Sequence, residues 1–232
     1  MARIFSIDEF NGGLTLSKRK NYAFTCVTFK NGTRTQLKAA EGAKIIYVLS
    51  GELDLKVEHN LFRLKAGHWA NIPKGKNYGV NVYRSFEPCK FIILTCLQGA
   101  IDNHVIYGDV NALPLKRSTA SFSLFGQESE VMQAKHIEFR EGDTWVDKSK
   151  SEAFVYAEKG NLKVNFMYKG FDIPEGSVVF IPGHFKFTVI PESGEATALV
   201  VTSPVDMAKT KEYVNWLKDE HGLLWEEGAI EV

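Results

Sequence analysis

The sequence lacks several things, and each absence excludes a class of protein. No apolar run approaches the roughly 18 to 20 residues needed to cross a bilayer as a helix. The opening stretch, MARIFSIDEF, places Asp8 and Glu9 where a secretory signal needs an apolar segment. Neither sign of charge is in excess: Lys+Arg and Asp+Glu both number 28, so no global field draws the chain to nucleic acid or to an anionic bilayer. Cysteine is scarce. Cys26, Cys89 and Cys96 show no C-x-x-C spacing, which argues against a disulfide framework and against a structural zinc site. The expectation is a cytoplasmic protein with free thiols that engages neither nucleic acid nor membrane.

What is present is an ordinary globular composition, 44% hydrophobic and 24% charged over 232 residues, enough for one large or two small domains. An internal repeat divides it. LSGELDLKV (49–57) superposes on EKGNLKVNF (158–166), and LKAGHWANIPKGKNYGV (64–80) on IPEGSVVFIPGHFKFTV (173–189), both at an offset of 109 residues. That offset pairs Tyr47 with Tyr156, Gly51 with Gly160, Leu53 with Leu162, Gly67 with Gly176, Ile72 with Ile181, Pro73 with Pro182 and Val80 with Val189.

The repeated unit reads as β-structure. IIYVL, ELDLKV, CKFIILTCL, AFVYA, LKVNFMY, SVVFI and ATALVVT are short β-branched or aromatic runs bounded by Gly, Pro or Asn. The segments KNGT, EKGN and PESGEA supply turn chemistry between them. Only the carboxyl end reads as a helix: after Asp206 as N-cap, MAKTKEYVNWLKDEHG gathers Tyr213, Val214, Trp216 and Leu217 on one face, and Gly222 stops it. The expected domains are an N-terminal barrel over residues 1–110, a C-terminal barrel over 111–205, and a helix with its tail over 206–232.

The spacing of glycine, proline and polar residues resembles that of the cupin superfamily, and the doubling resembles a bicupin. The first cupin motif runs glycine, five residues, H-x-H, three or four residues, glutamate, six residues, glycine; Gly32, Lys38, Ala39, Ala40, Lys44 and Gly51 occupy that frame. The second motif is glycine, five residues, P-x-G, two residues, histidine; Gly67, Pro73, Gly75 and Tyr78 occupy it. The resemblance implies an all-β fold of two tandem cupin (jelly-roll) β-barrels. It also exposes what is missing. At the four ligand positions stand Lys38, Ala40, Lys44 and Tyr78 in the first repeat, and Asp147, Ser149, Ala153 and Phe187 in the second. A divalent transition ion needs three or four N, O or S donors, and of these eight residues only Asp147 is a good one. No bound metal and no cofactor are expected.

Strand alternation then predicts what lines the interiors. Lys38, Ala40, Lys44, Ile46 and Val48 point into the first barrel if the cupin register holds, joined from across by Tyr78 and Val80. Lys44 and Tyr78 are the candidate catalytic pair, since desolvation lowers a lysine's pKa and a nearby cation lowers a tyrosine's. Lys38, Ile46, Val48, Val80, Asp147 and His184 are the candidate substrate contacts. In the second barrel Ser149, Ala153, Val155, Phe187 and Val189 make a mostly apolar lining with Asp147 at its edge and Trp145, Phe180 and Phe185 nearby, which reads as a filled core ahead of a ligand pocket. Of the other histidines, His59, His68 and His221 read as surface residues, and His104 and His136 flank the link between repeats.

Three functions compete. The first is a metal-independent enzyme of isomerase, epimerase, dehydratase or cyclase type, acting on a small carbonyl, sugar-like or carboxylate molecule in the first barrel. The second is a non-catalytic small-molecule-binding or accessory protein. The third is a metal enzyme using residues outside the motif, such as His104, His136 and His184. A homodimer is expected, because jelly rolls leave sheet edges and faces to cover and aromatics make up 12% of the chain.

Overall fold

The structure, a computed structural model, describes residues 4–6, 12–18, 22–83, 86–96, 106–109, 120–123, 133–147, 152–166, 169–181, 183 and 185–203. Within them the chain is all-β and antiparallel, as the runs of β-branched residues predict. The expected helix after Asp206 lies outside the described residues. The chain forms two compact units, one mainly of residues 7–115 and the other mainly of residues 133–232, the latter also taking in residues 1–6.

In chain order the strands are β1 (Ile4–Ser6), β2 (Gly12–Lys18), β3 (Tyr22–Phe29), β4 (Thr33–Arg34), β5 (Lys38–Ala39), β6 (Ala43–Ser50), β7 (Glu52–Val57), β8 (Asn60–Lys65), β9 (His68–Ile72), β10 (Asn77–Val82), β11 (Cys89–Cys96) and β12 (Ile106–Asp109). They continue as β13 (Ala120–Ser123), β14 (Gln133–Phe139), β15 (Trp145–Asp147), β16 (Glu152–Lys159), β17 (Leu162–Phe166), β18 (Lys169–Ile173), β19 (Ser177–Ile181), β20 (Phe187–Pro191) and β21 (Ala196–Ser203).

The N-terminal unit has a sheet ordered β12-β9-β6-β11-β3-β2 and a second ordered β4-β10-β7-β8, with β5 also on β10. The C-terminal unit has β1-β19-β16-β21-β14-β13 and β15-β20-β17-β18. Strands β6 and β16 differ by 109 residues at both ends, and so do β9 and β19. Gly51 and Gly160 both turn with positive φ, 76° and 71°, and so do Gly67 and Gly176, 81° and 77°. The repeat seen in the sequence is therefore a repeat of hydrogen-bonded topology. The repeat breaks at one sheet edge: β1 pairs with β19, Ile4 opposite Val179 and Ser6 opposite Ser177. In the N-terminal unit the matching edge, beside β9, is held by β12.

Each unit encloses its own apolar core, because alternate residues of facing strands turn inward. Ile46, Val48, Leu53, Leu55, Ile72, Val80 and Phe91 are among those filling the N-terminal one, with Phe29 edge-on to Phe91 at 5.4 Å. Val155, Leu162, Val164, Val179, Ile181 and Phe187 are among those filling the C-terminal one. The six-stranded sheets are buried on their other faces too: Ile45, Tyr47 and Leu94 in the first unit, Phe154, Tyr156 and Leu199 in the second, all lie below the surface.

Candidate functional site

Lys44 and Tyr78, two of the four motif positions of the first repeat, approach each other where β6, β10 and β11 meet at one end of the N-terminal interior. Lys44 shares the inward parity of Ile46 and Val48, and it lies opposite Thr95 in the β6–β11 ladder. Its ammonium donates a hydrogen bond to Thr95 Oγ1 at 2.8 Å. It also stands 6.0 Å from the centroid of the Tyr78 ring, the outer limit of a useful cation–π contact. Thr95 is buried and uncharged, so it orients the ammonium without neutralising it.

Electrostatics at this end are set mainly by lost water. Burial pushes the Lys44 pKa down from its ordinary 10.5; Glu41 opposes the shift and Lys38 adds to it. Tyr78 moves the other way from the sequence expectation. Its phenol is pushed up from 10.0, first by burial and then by Glu41, and these outweigh any help from the lysine. At neutral pH Tyr78 is therefore a proton donor rather than a phenolate.

The remaining candidates divide sharply. Ile46, Val48 and Val80 are packed in the core at 3% exposure or less, and Ala40 lies with them at 2%. Lys38 is exposed, contrary to its expected inward position, because β5 is a two-residue edge strand against β10 and does not carry the alternation of a longer strand. Asp147 is buried at 8% exposure, opposite Phe187 in the β15–β20 ladder. Ala153 and Phe187 are core residues, and Trp145 closes edge-on over the Phe187 ring at 5.6 Å. His184, Ser149 and His104 lie outside the described residues. His136 faces away from the core on β14, its Nε2 2.7 Å from Glu158 Oε2.

These residues do not fit a divalent metal at the motif positions. A protonated amine offers no lone pair, and Ala40, Ala153 and Phe187 offer no donor atom. Among the described residues no three His, Cys, Asp or Glu side chains converge.

A second feature was missed from the sequence. On the outer face of the smaller N-terminal sheet the described residues line a groove of about 600 Å³, with Asp54 and Lys56 from β7, Gly79 and Asn81 from β10, Leu61 from β8, and Arg34 to Leu37 and Tyr83 around them. Its signal was Gly79, a glycine inside a strand, which often marks close backbone approach. A Cβ there would stand 3.2 Å from Leu37 Cδ2 and 3.4 Å from the Thr35 carbonyl.

No family model and no curated protein matches the chain. Solved structures do. A cupin 2 conserved barrel domain protein from Leptotrichia buccalis aligns with TM-score 0.70 at 14% identity, over 87% of this chain and 96% of that one. The Ylba protein from E. coli aligns with TM-score 0.72 at 15% identity, over 86% and 89%. Lactobacillus farciminis oxalate decarboxylase, solved as a formate complex, aligns with TM-score 0.63 at 12% identity, over 95% and 94%. At such identities the likeness establishes the fold, which is that of cupin-domain proteins. No helix among the described residues is long and apolar enough to cross a membrane.

Proposed function

We propose that this chain is a two-barrel cupin that takes a small carbonyl, sugar-like or carboxylate molecule at the Lys44 end of its N-terminal unit, without a metal. One observation carries the reading. Where the cupin frame has a metal ligand, this chain holds a half-buried ammonium whose hydrogen-bond partner is a neutral hydroxyl. A cation kept from water without a bonded carboxylate is costly, and an anionic or carbonyl oxygen arriving from solvent repays that cost. The tight packing of Ile46, Val48 and Val80 behind it limits the ligand to a small one at this end of the interior. That oxalate decarboxylases, one of them as a formate complex, share the fold makes a small carboxylate a natural occupant.

The chemistry follows from the two protonation directions. Lys44, its pKa lowered, binds an oxyanion while charged and accepts a proton while neutral. Tyr78, kept protonated, donates to a carbonyl or enolate oxygen. Such a pair serves isomerisation, epimerisation, dehydration or cyclisation. A second reading, binding without turnover, is favoured by the filled core behind the site.

Thermal shifts and turnover on a panel of keto sugars and keto acids test this, with Lys44→Met and Tyr78→Phe beside the parent protein. An enzyme loses turnover in both variants while keeping some affinity; a binder loses the shift in Lys44→Met and shows no turnover at any stage. If no panel member shifts the parent protein, or if Lys44→Met keeps the full shift, the site lies elsewhere.

A further inference from the structure

We infer that the groove on the outer face of the smaller N-terminal sheet is a second ligand site, separate from the Lys44 end, and that it takes a small amphiphilic carboxylate. Its position is fixed by strand parity. Leu53, Leu55 and Val57 of β7 and Tyr78, Val80 and Val82 of β10 turn into the core, so Asp54, Lys56, Gly79 and Asn81 turn outward. The ladder sets Gly79 beside Lys56 and Asn81 beside Asp54, with Leu61 next to Lys56 on the far strand.

The wall opposite Leu61 is built by a break in the edge. Between β4 and β5 the chain bonds to β10 through Thr35, whose N–H donates to the Val80 carbonyl at 2.9 Å and whose Oγ1 accepts from the Val80 N–H at 2.8 Å. Leu37 then lies across Gly79, at a spot that a larger residue would fill. The result is a floor of polar and backbone atoms between two apolar flanks, Leu37 at 50% and Leu61 at 65% exposure. Its volume falls within the range of about 300 to 1,000 Å³ usual for small-molecule pockets.

Charge selects the occupant. Asp54, the only anion among the lining residues, is already engaged: Arg63 Nε on the neighbouring strand donates to its Oδ1 at 3.3 Å. That hydrogen bond, with the aspartate's charge, pushes the Arg63 pKa up. Arg34 and Lys56 have no hydrogen bond or ion pair to any described side chain. Two unengaged cations beside exposed leucines complement an anionic head on an apolar body. A small polar anion would leave the leucines uncovered, and a neutral hydrocarbon would leave the cations unused.

The probe is octanoate, followed by isothermal titration into the full chain at low salt, with 1-octanol as the uncharged comparison. Octanoate is expected to bind in the millimolar range or tighter, and octanol more weakly. The exposed double variant R34Q/K56Q should weaken octanoate about tenfold while changing octanol little. Leu61→Glu, exposed and far from the core, should abolish octanoate binding by repulsion. Lys44→Met should leave it unchanged, because the core packed behind Lys44 admits only a smaller carboxylate than octanoate, and this separates the groove from the site proposed above. No binding to the parent protein, equal binding by R34Q/K56Q, or loss in Lys44→Met would each overturn the assignment.

Discussion

Replacing Lys44 by methionine distinguishes a cation held for a ligand from one held for the fold. Methionine matches the lysine stem in length and removes the charge. What is lost is the hydrogen bond to Thr95 Oγ1, 2.8 Å long, from a charged donor to a neutral acceptor, worth about 1.5 kcal/mol net at such a half-buried site. What is gained is about 0.8 kcal/mol for the one methyl-sized group that replaces the ammonium, together with relief of the ammonium's desolvation. The two nearly cancel, so stability should change by no more than about 1 kcal/mol in either direction. Had Lys44 been one half of a structural buried ion pair, its removal would cost about 3 to 5 kcal/mol.

Urea unfolding at neutral pH reads this directly, as a shift in midpoint at unchanged slope. Its pH dependence supplies a second check. Because the folded pKa of Lys44 lies below the ordinary 10.5, the unfolded chain binds more protons between those two values. The lysine's contribution to stability therefore rises with pH across that window, and its penalty is greatest below the folded pKa. The variant's stability relative to the parent should fall as pH climbs towards 10.5. A loss of about 3 kcal/mol at neutral pH, or a relative gain for the variant with rising pH, would refute the claim that this cation has no bonded carboxylate partner.

Other consequences are quicker to check. Gly160→Ala should destabilise by about 2 kcal/mol or more, because φ is 71° and a Cβ would stand 2.9 Å from the Glu195 carbonyl oxygen; Gly142→Ala, at φ 83° with nothing within 4 Å, should cost about 1 kcal/mol, and equal midpoint shifts in urea would contradict this. Phe187→Ala should cost about 3 to 5 kcal/mol and alter the tryptophan emission, since Phe187 is 1% exposed and packs on Trp145. The thiols of Cys26 and Cys89, both pushed up to about 12 by burial, should resist a thiol reagent at pH 8 until denaturant is added; rapid labelling of the folded protein would show that they open to solvent.

The fold was legible wherever the sequence carried its own turn chemistry. Gly51 and Gly160, and Gly67 and Gly176, need positive φ to close their turns, so the repeat persists in residues that the backbone demands. It fades at β11 and β21, whose starts differ by 107 residues rather than 109, because the loops that precede them differ in length. The inward aim of Lys44 was readable because β6 is eight residues long and keeps its alternation. Lys38 was misread because β5 is two residues long at a sheet edge.

Other features were hidden for physical reasons. The direction of the Tyr78 shift depends on how much water its ring loses, which composition does not reveal. The outer groove depends on Thr35 meeting Val80, residues 45 apart in sequence, and no local pattern announces such a meeting. Strand β1 left no trace either: Ile-Phe-Ser is too short to carry a period.

That short strand has a consequence for any attempt to take the chain apart. Ile4–Ser6 hydrogen-bonds to Ser177–Val179, so a polypeptide starting at Lys116 would present one flank of β19 with bare amides and carbonyls. Exposed flanks of that kind recruit strands from other molecules. A single scissile position in the intervening segment thus cannot yield two self-sufficient halves; the later half would need the first few residues returned to it, tethered or as a free peptide, before that flank was covered.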